Sequence, residues 1–135
     1  MRKALRIVGI GLVVLSLATL ASCDFFMGLF GIPEEVGEIT WVQDAVDWRG
    51  NNNRIYIVTL PSGGSESDVW GTDVYTDDSS IGSAAVHKGL IDFNGGTVAI
   101  KILPGQDSYT GTLRNGITSL DYGTWDGSFE FVTDY

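Results

Sequence analysis

The seventeen residues DVYTDDSSIGSAAVHKG, Asp73 to Gly89, decide how the chain is read. They gather acids and hydroxyls, follow them with small apolar residues, and end beside His87, the single histidine of the sequence. Either this is a catalytic or metal-binding cluster, or it is the capped start of a buried helix. Local chemistry favours the helix. Asp78 or Ser79 suits the N-cap, where a side-chain oxygen accepts bonds from the unpaired amides of the first turn. Asp77 and Asp78 lie near the positive end of the helix dipole and Lys88 near the negative end, while Gly89 can adopt the left-handed closing conformation. Ile81, Ala84 and Ala85 share one face at spacings of three and four. Such small residues let strands approach closely, so the expectation is a helix enclosed by sheet.

Working outward, the chain supplies those strands. Arg54 to Leu60 (RIYIVTL) is rich in β-branched and aromatic residues and follows the turn Asn51-Asn52-Asn53. Val69 to Val74 forms a second candidate. Thr97 to Ile102 alternates, with Val98, Ile100 and Ile102 on one face, between Gly95-Gly96 and Pro104-Gly105 as start and stop. Arg114-Asn115-Gly116 is a tight-turn signal leading into Ile117 to Tyr122. Asp126-Gly127 is another, leading into Ser128 to Thr133, where Phe129 and Phe131 share a face. The expected class is α+β, one helix among short strands.

A length of 135 residues allows one modest domain, and not all of it is domain. Arg2, Lys3 and Arg6 precede the apolar run Ile7 to Leu20, and Leu20-Ala21-Ser22-Cys23 follows, the layout of a secretory signal. The run is short for a membrane span. A cysteine directly after Leu-Ala-Ser resembles the lipobox of bacterial lipoproteins, which implies cleavage before Cys23 and attachment of acyl chains to it. Two or more such chains suffice for stable membrane anchoring. The alternatives are an uncleaved signal anchor or an ordinary secretory signal. The expected organisation is a signal over 1–22, a lipidated Cys23 with a tether over 23–38, and a domain over 39–135. The tether's Phe25, Phe26, Met27, Leu29 and Phe30 either rest at the lipid interface or belong to a disordered linker.

Lipidation would use the single cysteine, leaving no disulfide or thiolate metal site. The signal would also carry away three cations, leaving 5 Lys and Arg against 17 Asp and Glu, a net charge of −12. That balance argues against nucleic acid or anionic lipid as a partner.

The residues carry a family resemblance as well. Trp70-Gly71-Thr72, Tyr75 to Ile81 (YTDDSSI), Ala84 to His87 (AAVH), Gly95-Gly96, Leu103-Pro104-Gly105, Tyr109-Thr110-Gly111, Arg114 to Ser119 (RNGITS) and Gly127-Ser128-Phe129 resemble, in order and spacing, the LCCL domain. The resemblance spans about Trp41 to Thr133. It implies a central helix wrapped by antiparallel strands, and a non-enzymatic binding role with carbohydrate or lipopolysaccharide-type ligands. It also implies that family disulfide cysteines are replaced here by Leu60 and Gly82.

Candidate site residues follow from these bounds. Acid/base or triad chemistry near neutral pH would have to run through His87, which matches a family position with no catalytic role, so a structural histidine is expected. Asp73, Asp77 and Asp78 fit no EF-hand spacing, and the glycines form no phosphate-binding fingerprint. No enzyme, cofactor or metal is expected. For ligand binding the rings matter, because an exposed ring offers a flat apolar face to a sugar. Trp70 and Trp125, inside family blocks, are read as structural. Trp48, with Arg49 beside the asparagine loop, is the surface candidate, joined by the loop groups Tyr109, Arg114 and Asn115. The expected partners are a membrane through Cys23 and a glycan or glycolipid, or alternatively another protein of the bacterial cell envelope.

Overall fold

A computed structural model describes residues 32–135. The signal, Cys23 and the first part of the expected tether lie outside the described residues. The order is β1 (Glu34–Glu38), a single 3-10 turn (Val46–Trp48), β2 (Ile55–Leu60), β3 (Gly71–Thr72), β4 (Val74–Thr76), α1 (Ile81–Lys88), β5 (Gly96–Gln106), β6 (Leu113–Arg114), β7 (Ile117–Thr118) and β8 (Trp125–Val132). Six strands form one sheet in the order β1-β2-β5-β8-β4-β3, and β6 pairs with β7 in a separate hairpin. The sheet is antiparallel except where β1 runs parallel to β2. The architecture is α+β, as the sequence leads one to expect.

The helix is buried all round: every residue from Ile81 to His87 is inaccessible. Tyr56 and Val58 of β2, Ile100 and Ile102 of β5, and Phe129 of β8 join it in one core. Gly89 closes it at φ 88°, with its amide donating to the carbonyls of Ala85 and Val86. The N-cap is Ser80, rather than Asp78 or Ser79. Its Oγ accepts from the Ser83 amide at 3.1 Å and donates to the Trp41 carbonyl at 2.7 Å. Asp77 and Ser79 are engaged elsewhere: Asp77 holds Arg49, and Ser79 Oγ accepts from the Trp70 amide at 2.9 Å and bonds Thr76 Oγ1.

Gly82, costly inside a helix, is explained by the buried indole of Trp41. An ideal Cβ on Gly82 would stand 2.5 Å from Trp41 Cε3 and 3.1 Å from Leu60 Cδ1. A Cβ on Gly64 would collide with the same indole. The two glycines thus open a slot for the ring, which Phe93 flanks at 5.4 Å between centroids and whose Nε1 donates to the Pro61 carbonyl at 2.8 Å. Packed aromatic and aliphatic groups surround Gly82, where the family resemblance implies a cysteine.

Several boundaries differ from expectation. Glu34–Glu38, expected within the tether, is an edge strand whose residues pair with Tyr56 to Thr59; backbone pairing to β2 orders a segment that has no β-forming pattern of its own. Val69 to Val74 is not one strand, because Asp73 at φ 67° turns the chain between β3 and β4. Pro104-Gly105 and Asp126-Gly127, expected to stop and start strands, continue the ladder instead, with Pro104 opposite Gly127 and Gln106 opposite Trp125. The Asn115-Gly116 turn forms as read, with both φ values positive at 51° and 80°, as a two-residue hairpin requires.

Candidate functional site

The extension of β5 and β8 builds one end of the sheet around Asp77. This residue leaves β4 with its amide bonded to the Gly127 carbonyl and its own carbonyl accepting from the Ala45 amide. Its side chain is 1% exposed. The carboxylate accepts from Arg49 Nε at 2.7 Å, Arg49 Nη2 at 2.8 Å and Trp125 Nε1 at 2.8 Å. Such charge-assisted, two-pronged pairing fixes direction as well as distance, and the bond to Asp77 raises the guanidinium pKa further. Gly127 is needed here, since a Cβ would strike the Asp77 carboxylate.

From this pair a row of rings leads outward. The Arg49 guanidinium lies 5.3 Å from the Trp125 centroid. Trp125 meets Tyr122 edge to face at 5.5 Å, and Tyr122 meets Trp70 in the same manner at 6.5 Å. Trp70 and Trp125 are half-buried, whereas Tyr122 is 44% exposed. Beside Trp125 opens a cleft of about 200 Å³, lined by Gly105, Gln106, Asp107, Thr124, Trp125 and Asp126. Gln106, Asp107, Thr124 and Asp126 are exposed, presenting amide, carboxylate and hydroxyl groups next to an aromatic ring.

The residues nominated from sequence are distributed unevenly around this end. Arg49 belongs to it through Asp77 and Trp125. Trp48, its neighbour in the chain, is half-buried and stacks flat on Tyr56 at 4.3 Å and 9°, so one face of its ring is covered. Tyr109 is 4% exposed and offers no open ring. Its hydroxyl accepts from the Gln106 amide at 3.0 Å and donates to the Trp125 carbonyl at 3.3 Å, so it scaffolds the cleft rather than lining it, and burial raises its pKa. Arg114 and Asn115 sit at the far end of α1. Arg114 and Lys88 both bond Asp73 Oδ1, at 2.9 and 2.7 Å, and hold that carboxyl below its ordinary range, Lys88 more strongly. Asn115 Nδ2 donates to the His87 carbonyl at 2.9 Å and completes the helix end. Trp125, which lines the cleft, and Tyr122 against it lie outside the residues nominated from sequence. The available signal was their spacing, three apart around the small pair Gly123-Thr124.

His87 is structural. It is 0% exposed, Nε2 donates to the Thr112 carbonyl at 3.0 Å, and Nδ1 therefore accepts from the Tyr75 hydroxyl at 2.9 Å. Burial pushes the Tyr75 pKa up to about 12, against about 10 in an unfolded chain. Between those values the unfolded chain gives up the proton that the native state keeps, so stability falls as pH rises. Denaturant titrations are expected to show a loss on the order of 2 kcal/mol between about pH 10 and 12. A Tyr75→Phe variant, with a lower starting stability, should lose less over that range; an equal loss would show that the decline comes from other groups.

The family model of the LCCL domain matches residues 39–129. The chain belongs to the LCCL domain family. It is 41% identical to human vitrin over 76 residues, covering 55% of this chain and 11% of vitrin. It is 45% identical to bovine cochlin over 64 residues, covering 47% of this chain and 12% of cochlin. A human cysteine-rich secretory protein, LCCL domain-containing 2, is 44% identical over 57 residues, 42% of this chain and 12% of that protein. The match therefore spans about a tenth of each relative's length, one module within a longer chain.

Proposed function

We propose that this protein is a non-enzymatic binding module for carbohydrate, held at a bacterial cell envelope by lipid on Cys23. The observation that carries the ligand class is the end of the sheet where the half-buried Trp125, edge to face with the exposed Tyr122, lines a cleft of polar side chains. Rings give a sugar an apolar stacking face, and the surrounding groups give its hydroxyls partners. A protein-docking surface would instead show a broad apolar core with a polar rim. Membership of the LCCL family supports a binding role. The burial of His87, with both ring nitrogens bonded, supports a role without acid/base chemistry. The anchoring part rests on the Leu20-Ala21-Ser22-Cys23 resemblance alone.

The test is an array of glycans and envelope lipopolysaccharides probed with the full chain in detergent. Saturable binding to saccharides is expected, and no binding by folded protein would replace this reading with an envelope protein as partner. In a bacterial host, Cys23→Ser should move the chain from the membrane fraction to the soluble one; unchanged fractionation would remove the lipid anchor from the proposal.

A further inference from the structure

We infer that the cleft beside Trp125 takes saccharides that carry no phosphate, sulfate or carboxylate, either uncharged or amine-bearing, and excludes anionic ones. This rests on the carbohydrate-binding reading and narrows it, because lipopolysaccharide-type ligands present phosphates at their lipid end.

Anionic saccharides are held by unengaged cations, above all by guanidinium groups with free forks. Among the described residues there are five Lys and Arg, and four of them are paired: Arg49 with Asp77, Arg54 with Glu34, and Lys88 and Arg114 both with Asp73. The fifth, Lys101, stands opposite Glu130 across the β5 and β8 pair. Arg49 is the cation bound to the ring row, and its charge is matched by the Asp77 carboxylate, which takes Nε and Nη2 side-on. The cleft itself carries two exposed carboxylates, Asp107 and Asp126, with Asp121 in the strand-free segment that leads to Tyr122. A phosphate or sulfate placed there would meet like charge, while the cation against Trp125, Arg49, is already neutralised by Asp77.

The same groups suit the other ligands. Carboxylates accept from sugar hydroxyls and, more strongly, from an ammonium group. The Gln106 amide both donates and accepts, and the Thr124 hydroxyl does the same. Trp125 lines the cleft, and the exposed Tyr122 that meets it edge to face adds apolar surface for the C–H side of a pyranose. Tyr109 and the Arg49 to Asp77 pair hold Trp125 from behind, so the cleft is shaped before a ligand arrives.

The experiment uses the full chain on an array containing uncharged, amine-bearing, sulfated and phosphorylated saccharides, with Tyr122→Ala and Asp107→Lys alongside. Binders confined to the first two classes, with affinity reduced roughly tenfold by Tyr122→Ala, is the expected result. Asp107→Lys should weaken the amine-bearing ligands and admit sulfated ones. Both side chains are exposed, and circular dichroism of each variant checks that the fold is retained. Tight binding of sulfated or phosphorylated saccharides by the unaltered chain would overturn the inference while leaving a carbohydrate module. Affinity untouched by both Tyr122→Ala and Asp107→Lys would remove the cleft as the site. An array without any binder would remove both the inference and the reading beneath it.

Discussion

Replacing Trp41 by alanine is expected to lower the free energy of unfolding by about 3–5 kcal/mol, the range for emptying the volume of a buried aromatic. Trp41 is buried in a slot made by Gly64 and Gly82, and its indole N–H is bonded to the Pro61 carbonyl. The slot makes a sharper test possible. In the native background, Gly82→Ala gains about 1 kcal/mol of helix propensity but drives a methyl to 2.5 Å from Trp41 Cε3. Overpacking of that kind costs about 1–3 kcal/mol, so the net change should be destabilising. Once Trp41 is alanine, the same substitution enters empty space and should become neutral or stabilising. Denaturant unfolding of the two single variants and the double variant measures the coupling. An equal effect of Gly82→Ala in both backgrounds would sink the slot as the reason for a glycine in the helix.

Asp77→Ala should be nearly as damaging, with an expected loss of about 2–4 kcal/mol. Three donors converge on this carboxylate, and bonds to a charged group contribute about 1.5–3 kcal/mol each. The sum is smaller than three such bonds, because the Arg49 side chain is 36% exposed and can turn to water when released. Asp77→Asn keeps the shape but turns one acceptor into a donor facing a donor, and should cost about half as much. Unfolding curves followed by tryptophan fluorescence report both the stability and the freed Trp125. A change below about 0.5 kcal/mol for Asp77→Ala would show that Arg49 and Trp125 are held by other contacts.

Asp77 also shows where a reading of sequence meets its limit. Its place among the acids and serines ahead of an apolar run is a sound local argument for a helix start, and the helix is there. The cap is Ser80 rather than Asp78 or Ser79: Ser79 Oγ is taken by the Trp70 amide and Thr76, Asp77 is claimed by residues 28 and 48 positions away, and no local pattern encodes such partners. The helix, its closing glycine and the alternating half of β5 were legible because each is set by neighbours in the chain. Strand β1 was not, since EEVGE has no β-forming periodicity and pairs only because β2 offers an edge. The same division applies to the candidate site. Arg49 and Tyr109 stand out as polar groups near turns, but the ladder that carries Tyr109 under Trp125 and leaves Tyr122 outside is a long-range matter. Ring count alone could not tell a covered ring from an open one.

The parallel pairing of β1 with β2 has a bearing on orientation. Because the two run the same way, Glu34 enters at the end of the sheet where β2 begins, β5 finishes and β8 starts. That is also the end where Gln106 faces Trp125. The lipid proposed for Cys23 would thus hold the molecule by the end that carries the proposed cleft, with the ten residues between Cys23 and Glu34 spanning at most about 40 Å when fully extended. Saccharides displayed close above the bilayer would lie inside that radius, and those standing farther out in the envelope would lie beyond it.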